Sequence, residues 1–431
     1  MSEQMDKVVY DTIEETLYTK KLTNGLHVFL LPKKEVAKTY GIFMTNYGSV
    51  DRTFIPINEK EEITVPDGIA HFLEHKLFEK EDRDVFTDFL SQGASPNAYT
   101  SSTKTAYLFS STKMAEKNVE TLLDFVQAPF FSDQSVEKEK GIIAQEIKMY
   151  DDQPDFQAYM GTIQNMFEHH PVRIDIAGTV ESIQTITKED LYTCYHTFYH
   201  PSNMVLFVGG NFDVTSMINL IEQNQAKKNF PSPPKMERHF PNESKHVGKK
   251  DSTIYLPVSI PKVTIGIKEE TKPLKEEQFF KRELLQGMLL EYFFSQSGEF
   301  YEQLYNEQLI DESFEYSTTV EESFSFSLIS SNTNKPDEFA SKVKELLLST
   351  HSLQLTEEEL QTMKKKRIGE ILRSMNYLES IANNYIHYYF AGIDYFAFIP
   401  AVQSLSLQEV NEFLKTWINE EKLTVCKIEQ K

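Results

Sequence analysis

The stretch TITKEDL, residues 185–191, recurs in related form as SLSLQEV, residues 404–410. A second pair of segments, NMVLFVGG at 203–210 and KLTVCKIE at 422–429, has the same offset of 219 residues (404 − 185 and 422 − 203). The first pair is helix-like and the second is a strand-like apolar run. An offset shared by two kinds of element indicates an internal repeat. The chain is therefore predicted to contain two similar α+β domains.

Both copies of the first segment begin with the sequence pattern of a helix N-terminus. Thr187 is followed three residues later by Asp190, and Ser406 is followed by Glu409 in the same way. A hydroxyl residue at the N-cap and an acidic residue three positions on form a capping box. The pattern thus predicts one helix start at the same place in each repeat.

Residues 226–250 separate the two repeats and differ from both in composition. This stretch, AKKNFPSPPKMERHFPNESKHVGKK, is rich in proline and lysine and has no periodic apolar face. Such a composition is typical of a linker. We therefore expect an N-terminal domain over residues 1–225 and a homologous C-terminal domain over residues 251–431.

The N-terminal repeat carries polar residues that the C-terminal repeat lacks. Residues 71–75 are HFLEH, within a stretch predicted to be helical with Asp67 as its N-cap. Positions i and i+4 of a helix lie on one face, so His71 and His75 can direct two imidazoles at one metal ion, and neutral imidazoles suit zinc. The corresponding C-terminal stretch, MLLEYFFSQSG at 288–298, contains no histidine.

A helix with two hydrogen-bonded histidines and a surface glutamate is the simpler alternative. The residues around HFLEH are mostly apolar, however, and burying two imidazoles and a carboxylate among them is costly unless a ligand binds them. A zinc ion held by two histidines needs a third protein ligand. Glu139 and Glu146, seven residues apart, lie on one face of a further predicted helix and are candidates for that ligand.

An HxxEH motif followed about 70 residues later by a glutamate in the segment GIIAQEI resembles the inverzincin zinc metallopeptidases. These include pitrilysin, insulysin and the mitochondrial processing peptidase. The resemblance covers both repeats and the linker, and it is closest to the small bacterial members with two domains per chain. It implies two homologous α/β-roll domains, each an antiparallel-rich sheet packed with helices, joined by a linker.

The resemblance implies a role for each polar residue of the two helices. His71, His75 and Glu146 would bind one Zn²⁺ per chain, and Glu74 would be the general base. Glu139 would be a supporting carboxylate that positions a ligand. The implied activity is zinc-dependent endopeptidase action on unfolded or short peptides inside a chamber.

The segment SPNAYTSSTKTAYLF, residues 95–109, resembles the edge strand with which this family binds substrate. Such a strand would pair with an extended peptide by strand addition. The resemblance therefore implies that Asn97, Ala98 and Thr100 contact the peptide.

One part of the family pattern is missing. Complete enzymes carry an Arg and a Tyr in a second-half stretch similar to LREKxGLAY, but Tyr305 and Asp311 stand at those two places here. Because family members enclose substrate between two halves of two domains each, we expect this chain to form a dimer. The expected partner is a homologous subunit that supplies the Arg/Tyr pair. A homodimer that uses Tyr305, Tyr316 or another donor is the alternative.

A non-catalytic peptide-binding or structural subunit of a processing complex is the alternative function. The missing Arg and Tyr favour it. Structural zinc sites, however, usually have four protein ligands, and only three are visible in this sequence. Glu74 is not one of those ligands, so its presence favours the catalytic interpretation.

Composition excludes several other classes of protein. The net charge of -21 makes a nucleic-acid partner improbable, because phosphate binding needs clustered Lys and Arg. Cys194 and Cys426 have no CxxC neighbour, which argues against a disulfide framework or a thiolate zinc site. The sequence shows no signal peptide and no apolar run that could form a transmembrane segment, so a cytoplasmic location is expected.

Overall fold

A computed structural model describes residues 5–233, 235–269 and 276–431 of the 431-residue chain. The described strands are β1 (Asp6–Tyr10), β2 (Glu15–Lys21), β3 (His27–Pro32), β4 (Thr39–Thr45), β5 (Thr53–Phe54), β6 (Ile63–Thr64), β7 (Ala94–Thr100), β8 (Thr105–Ser111), β9 (Met204–Gly210), β10 (Asp251–Leu256), β11 (Lys262–Lys268), β12 (Glu315–Val320), β13 (Ser325–Asn332) and β14 (Leu423–Gln430).

The described helices are α1 (Ile69–Phe78), α2 (Val85–Ser91), α3 (Ala115–Val126), α4 (Asp133–Asp151), α5 (Pro154–Met166), α6 (Val180–Gln184), α7 (Lys188–Phe198), α8 (Val214–Ala226), α9 (Glu276–Phe294), α10 (Glu299–Asn306), α11 (Pro336–Ser349), α12 (Glu357–Ser374), α13 (Leu378–Phe390), α14 (Phe398–Ser404) and α15 (Leu407–Trp417). Among them, none is long and apolar enough to cross a membrane.

The first compact unit consists of residues Met1–Ile147, Asp175–His239 and Ser374–Phe390. Its main sheet has the strand order β1-β2-β3-β9-β4-β8-β7. Strands β3 and β9 are parallel, and the other neighbours are antiparallel. Helix α1 packs against the β7–β8 end of this sheet and against α3 and α7. The HFLEH segment is thereby held next to the outermost strand, β7.

The second compact unit consists of residues Lys148–Ile174, Phe240–Arg373 and Ala391–Lys431. Its sheet has the order β10-β14-β11-β13-β12, with β10 and β14 parallel and the other neighbours antiparallel. This is the order and direction of β3-β9-β4-β8-β7 in the first unit. Both predicted capping boxes, at Thr187 and at Ser406, are present. The predicted fold of two homologous domains with antiparallel-rich sheets is confirmed.

Each unit includes one helix from the other half of the chain. Helix α5 follows α4 in sequence but packs on β10, β11 and β14 of the second unit. Its counterpart α13 packs on β4 and β9 of the first unit, where the ring of Tyr385 lies 4.8 Å from that of Phe29. The compact units are therefore not the contiguous stretches 1–225 and 251–431 that the sequence predicted. A local apolar stripe does not specify which of two similar sheets it covers.

Helix α1 begins differently from the prediction. Gly68, not Asp67, occupies the N-cap, with φ 89° and no side-chain cap. Asp67 instead forms an ion pair with Arg52. A Cβ on Gly68 would lie 2.3 Å from the carbonyl oxygen of Ala177, so both the positive φ and the close approach require glycine. The predicted Asp67 cap is wrong because Arg52, distant in sequence from the helix, binds its carboxylate.

Candidate metal centre

Helices α1 and α4 bring two imidazoles and a carboxylate together. The Nε2 atom of His71 lies 3.7 Å from Oε1 of Glu146, and Nε2 of His75 lies 3.7 Å from Oε2 of the same residue. Tetrahedral zinc with bonds of about 2.0–2.2 Å separates its ligand atoms by roughly 3.4 Å. Each of the two imidazole–carboxylate distances is therefore compatible with ligands that share one zinc ion. The sequence-predicted ligands are neighbours in the structure.

Glu139 lies behind His75. Its Oε1 atom accepts a hydrogen bond of 3.0 Å from Nδ1 of His75, and the glutamate is buried. With Nδ1 bonded in this way, the ring presents Nε2 towards Glu146. A carboxylate in this position fixes the tautomer and orientation of a ligating histidine.

Glu74 lies beside the two histidines and is held from another element. It is 8% exposed, and its Oε2 accepts a hydrogen bond of 3.1 Å from Oγ1 of Thr100 on β7. One potential ligand atom each from His71, Glu74 and His75 lies within 4.8 Å of the others. Burial raises the pKa of Glu74, while the charge of His75 and the bond from Thr100 act in the opposite direction. The site thus contains a carboxylate whose affinity for a proton is enhanced.

The two histidines differ in their affinity for protons. Burial, followed by the charge of His75, lowers the pKa of His71 to about 3, so its imidazole is neutral at physiological pH. Burial also lowers the pKa of His75, but the hydrogen bond to Glu139 and the surrounding carboxylates outweigh burial and raise it. A neutral imidazole is the form that binds a metal.

Strand β7 places the predicted substrate-binding residues at the edge of the sheet. In the described part of the chain β7 pairs with β8 and has no strand on its other side. Asn97 is exposed, and its Oδ1 accepts a hydrogen bond of 2.9 Å from the N–H of Ala98. Thr100 faces Glu74, whereas Tyr99 donates to Asn383 of α13. Of the three predicted residues, Thr100 contacts Glu74, and Asn97 and Ala98 lie on the same edge strand.

Two features of the site were missed by sequence reasoning. The hydroxyl of Thr100 contacts Glu74 directly, although the sequence suggested only a substrate contact. A fully buried pair, Tyr107 and Tyr199, has its hydroxyl oxygens 3.0 Å apart, and the charge of Glu74 adds to burial in raising the pKa of both phenols. No local sequence signal points to either feature, because each joins elements distant along the chain.

Two buried lysines define corresponding positions in the two units. Lys140 Nζ donates to the carbonyl of Gln184 at 3.0 Å, and Lys364 Nζ donates to the carbonyl of Gln403 at 2.8 Å. The two acceptors are separated by the repeat offset of 219 residues (403 − 184). Glu146 lies six residues after Lys140, and Glu370 of α12 lies six residues after Lys364. Glu370 therefore has the position in the second unit that Glu146, which faces the two histidines, has in the first.

In the second unit, the glutamates that correspond to Glu74 and Glu146 form ion pairs. Glu291 lies 2.8 Å from Nζ of Lys366, and Glu370 lies 3.5 Å from Nη1 of Arg367. The segment MLLEY, residues 288–292, stands where HFLEH stands in the first unit. Within the described ranges, the group at His71, Glu74 and His75 is the one set of at least three potential metal-binding side chains whose ligand atoms all lie within 4.8 Å of one another.

Two models of one peptidase family match the two halves of the chain. The family model "Insulinase (Peptidase family M16)" matches residues 58–180, and the model "Peptidase M16 inactive domain" matches residues 185–367. The uncharacterized zinc protease YmfH of Bacillus subtilis (strain 168) is 47% identical over 421 residues, which cover 98% of both chains.

Solved structures extend the match to the whole chain. An M16-like peptidase from Alicyclobacillus acidocaldarius superposes with a TM-score of 0.93 at 38% identity, covering 100% of both chains. The periplasmic protease PqqL from Escherichia coli has the same fold, with a TM-score of 0.77 at 18% identity, over 99% of this chain and 48% of its own. The resemblance inferred from the motifs is confirmed, and the chain belongs to peptidase family M16, the insulinase family.

Proposed function

We propose that this chain is a zinc endopeptidase that cleaves unfolded or short peptides. The observation that carries the proposal is the position of Glu146, whose two carboxylate oxygens each lie 3.7 Å from an Nε2 atom of a histidine. Glu74 is beside this group but is hydrogen-bonded to Thr100. The arrangement supports three metal ligands and one separate base, and the zinc protease relative supports the class of reaction.

The chain's own residues have distinct tasks in this proposal. When bound to His71, His75 and Glu146, zinc supplies Lewis acidity, which polarises a substrate carbonyl and lowers the pKa of water to about 7. Glu74 accepts a proton from the attacking water and returns it to the leaving amine. Thr100 holds one carboxylate oxygen of Glu74, which leaves the other oxygen for proton transfer.

Substrate would bind along β7. An extended peptide can add to this open edge by strand addition and contact Asn97, Ala98 and Thr100. The N–H of Ala98 now donates to the side chain of Asn97, so a substrate carbonyl would have to replace that contact. Strand addition favours flexible peptides, because a folded protein rarely presents a free extended segment.

Two features of the second unit support one zinc ion per chain and a dimer with a homologous subunit. In the corresponding segment Met288 and Tyr292 stand at the two histidine positions. The glutamates at the other two positions, Glu291 and Glu370, pair with Lys366 and Arg367. Tyr305 stands where the family pattern has an Arg, and the place of the Tyr, seven residues on, holds Glu312 beside Asp311. Ionised carboxylates cannot donate to a developing oxyanion. We therefore propose a heterodimer with a homologous subunit that supplies the Arg/Tyr pair. A homodimer that uses Tyr305 or Tyr316 is the alternative.

The experiment for the proposed activity compares wild type with Glu74→Gln. Zinc-loaded complexes purified from the source cell are incubated with a pool of unstructured peptides, and products are read by mass spectrometry. Wild type should cleave, and Glu74→Gln should bind zinc equally but cleave about 10²–10⁴-fold more slowly. Undiminished cleavage by Glu74→Gln would refute the role of the base. Zinc and peptide binding without cleavage by wild type would favour the non-catalytic alternative, which the absence of the family's Arg and Tyr supports.

Native mass spectrometry of the same complexes tests the partner. The expected species contains this 50.0 kDa chain and one chain of a homologue. Recombinant chain alone should be much less active than that species. A pure homodimer with full activity would refute the heterodimer.

A further inference from the structure

The second unit contains a cavity of about 890 Å³ that the proposed zinc chemistry does not use. Aromatic side chains from α10, from β12 and from the segment between them line it. The rings of Tyr301 and Tyr305 lie 6.2 Å apart with planes inclined by 10°, and Tyr301 contacts Phe314 edge-on at 5.5 Å. Tyr305 is 62% exposed, so one aromatic face is open to a ligand.

The charged residues around the cavity make it acidic. Asp311 and Glu312 line the wall and are exposed. Lys366 also lines it, but its Nζ lies 2.8 Å from Oε1 of Glu291, which neutralises its charge. Burial, then the charges of Glu291 and Glu370, raise the pKa of the lining residue Tyr316 to about 12. A cation entering this space would therefore meet uncharged aromatic rings and unbalanced carboxylates.

We propose that this cavity binds the cationic side chain of an arginine or lysine in a peptide. Aromatic faces attract cations, and a planar guanidinium can stack on a tyrosine ring. Asp311 and Glu312 supply the complementary charge. Asp311 Oδ1 already accepts from the N–H of Ser313 at 2.8 Å, which fixes the orientation of its carboxylate at the wall.

The replacement of the family's Arg and Tyr gives the cavity the opposite preference for charge. An arginine at this place would favour an anionic group of a substrate. Tyr305 in place of the arginine removes that positive charge, and Asp311 adds a negative one. That the ligand is a peptide rests on the proposed function, but the cavity and its charge do not.

Binding is measured on Glu74→Gln, which keeps peptides uncut. A fluorescent unstructured peptide with a single arginine is compared, by anisotropy, with the same peptide carrying citrulline, which has the same shape without the charge. The arginine peptide should bind about five-fold more tightly, as one exposed cation–aromatic contact allows, and salt should reduce the difference. Tyr305→Ala and Asp311→Asn, each added to Glu74→Gln, should remove most of the preference.

Tyr377→Ala is the matched control, because Tyr377 is 60% exposed and lies in the first unit. It should leave the preference for arginine unchanged. Equal affinity for both peptides, no binding of either, or a preference that survives Tyr305→Ala and Asp311→Asn would overturn the inference. A clear preference for arginine in a protein whose wild type never cleaves would support this site while refuting the proposed peptidase.

Discussion

Glu139 determines which nitrogen of His75 faces Glu146. Its 3.0 Å contact occupies Nδ1, while Nε2 lies 3.7 Å from the Glu146 carboxylate. Without Glu139 the ring could rotate or adopt the other tautomer, and the donor would be less well placed. We therefore propose that Glu139 positions His75 for the three proposed ligands.

Glu139→Gln should weaken zinc binding about 10–100-fold, because the amide oxygen is a poorer acceptor for Nδ1–H and the negative charge is lost. Competition with a zinc chelator measures the affinity. Glu137→Gln, on the same helix but with a side chain that is 67% exposed, is the control and should bind zinc as wild type does. An equal effect of the two substitutions, or none, would contradict the positioning role.

Sequence patterns predict those parts of the site that depend on spacing within a single helix. The four-residue spacing of His71 and His75 and the position of Glu146 on a second helix are local facts, and the structure brings all three together. Thr100 could not be assigned to Glu74, since their contact depends on how β7 packs on α1. Asp67 was wrongly predicted as a cap for the same reason: its partner comes from outside the helix.

Among the elements, β7 connects the candidate metal centre to the proposed substrate. Ala98→Pro removes a backbone N–H from an edge strand, where proline is tolerated. For strand addition, we expect KM for peptides to rise about ten-fold, the cost of one lost hydrogen bond, with kcat and zinc content little changed. Ala98→Val keeps the N–H and is the control. A wild-type KM in Ala98→Pro would argue against substrate pairing at this position.

The segment between the repeats is anchored more firmly than its composition suggests. The carboxylate of Glu243 accepts hydrogen bonds from the N–H groups of residues 168–170, at 2.7–3.1 Å, and from Nζ of Lys268 at 2.7 Å. The Glu243 side chain is 2% exposed. Burial opposes its ionisation, but the bonds from Lys268 and from the backbone lower its pKa to about 2.

Glu243→Gln should lower the free energy of unfolding by about 3 kcal/mol at pH 7, because Lys268 loses a buried partner. The pKa of Glu243 is lower in the folded protein than its ordinary value of 4.5. The carboxylate therefore stabilises the fold above about pH 4.5, and the difference between variant and wild type should shrink as pH falls towards 2.

Urea unfolding at several pH values measures this difference. Glu168→Gln is the control, because the Glu168 side chain is exposed and the substitution keeps the backbone N–H that donates to Glu243. It should unfold as wild type does. A difference between Glu243→Gln and wild type that is constant with pH would contradict the ionised state of Glu243.

At the scale of the whole molecule, α5 from the N-terminal half belongs to the second unit, and α13 from the C-terminal half belongs to the first. Each unit therefore depends on both halves of the chain. A fragment of residues 1–225 lacks α13 and exposes the apolar rings of Phe29 and Phe207, which now pack against Tyr385. Exposing each ring costs about 1.5–3 kcal/mol. We expect this fragment to aggregate or to lack cooperative unfolding, as measured by size-exclusion chromatography and thermal circular dichroism. A monomeric fragment with a sharp thermal transition would contradict the dependence of the first unit on α13.

The sequence predicts the internal repeat, but it does not predict that α5 and α13 each pack on the sheet of the other repeat. Capping boxes and strand patterns recur at a fixed offset, so the sequence contains two copies of one topology. The apolar faces of α5 and α13 fit either of two similar sheets. The choice between the sheets is made by packing across the whole chain, which no local pattern records.

Anomalous scattering at the zinc edge, from crystals of the zinc-loaded wild-type protein, would show which side chains bind the metal. We expect one peak per chain, bounded by the Nε2 atoms of His71 and His75 and by the Glu146 carboxylate, with Glu74 outside the coordination sphere. A peak coordinated by Glu74 in place of Glu146, or no peak at these residues, would contradict the proposed set of ligands.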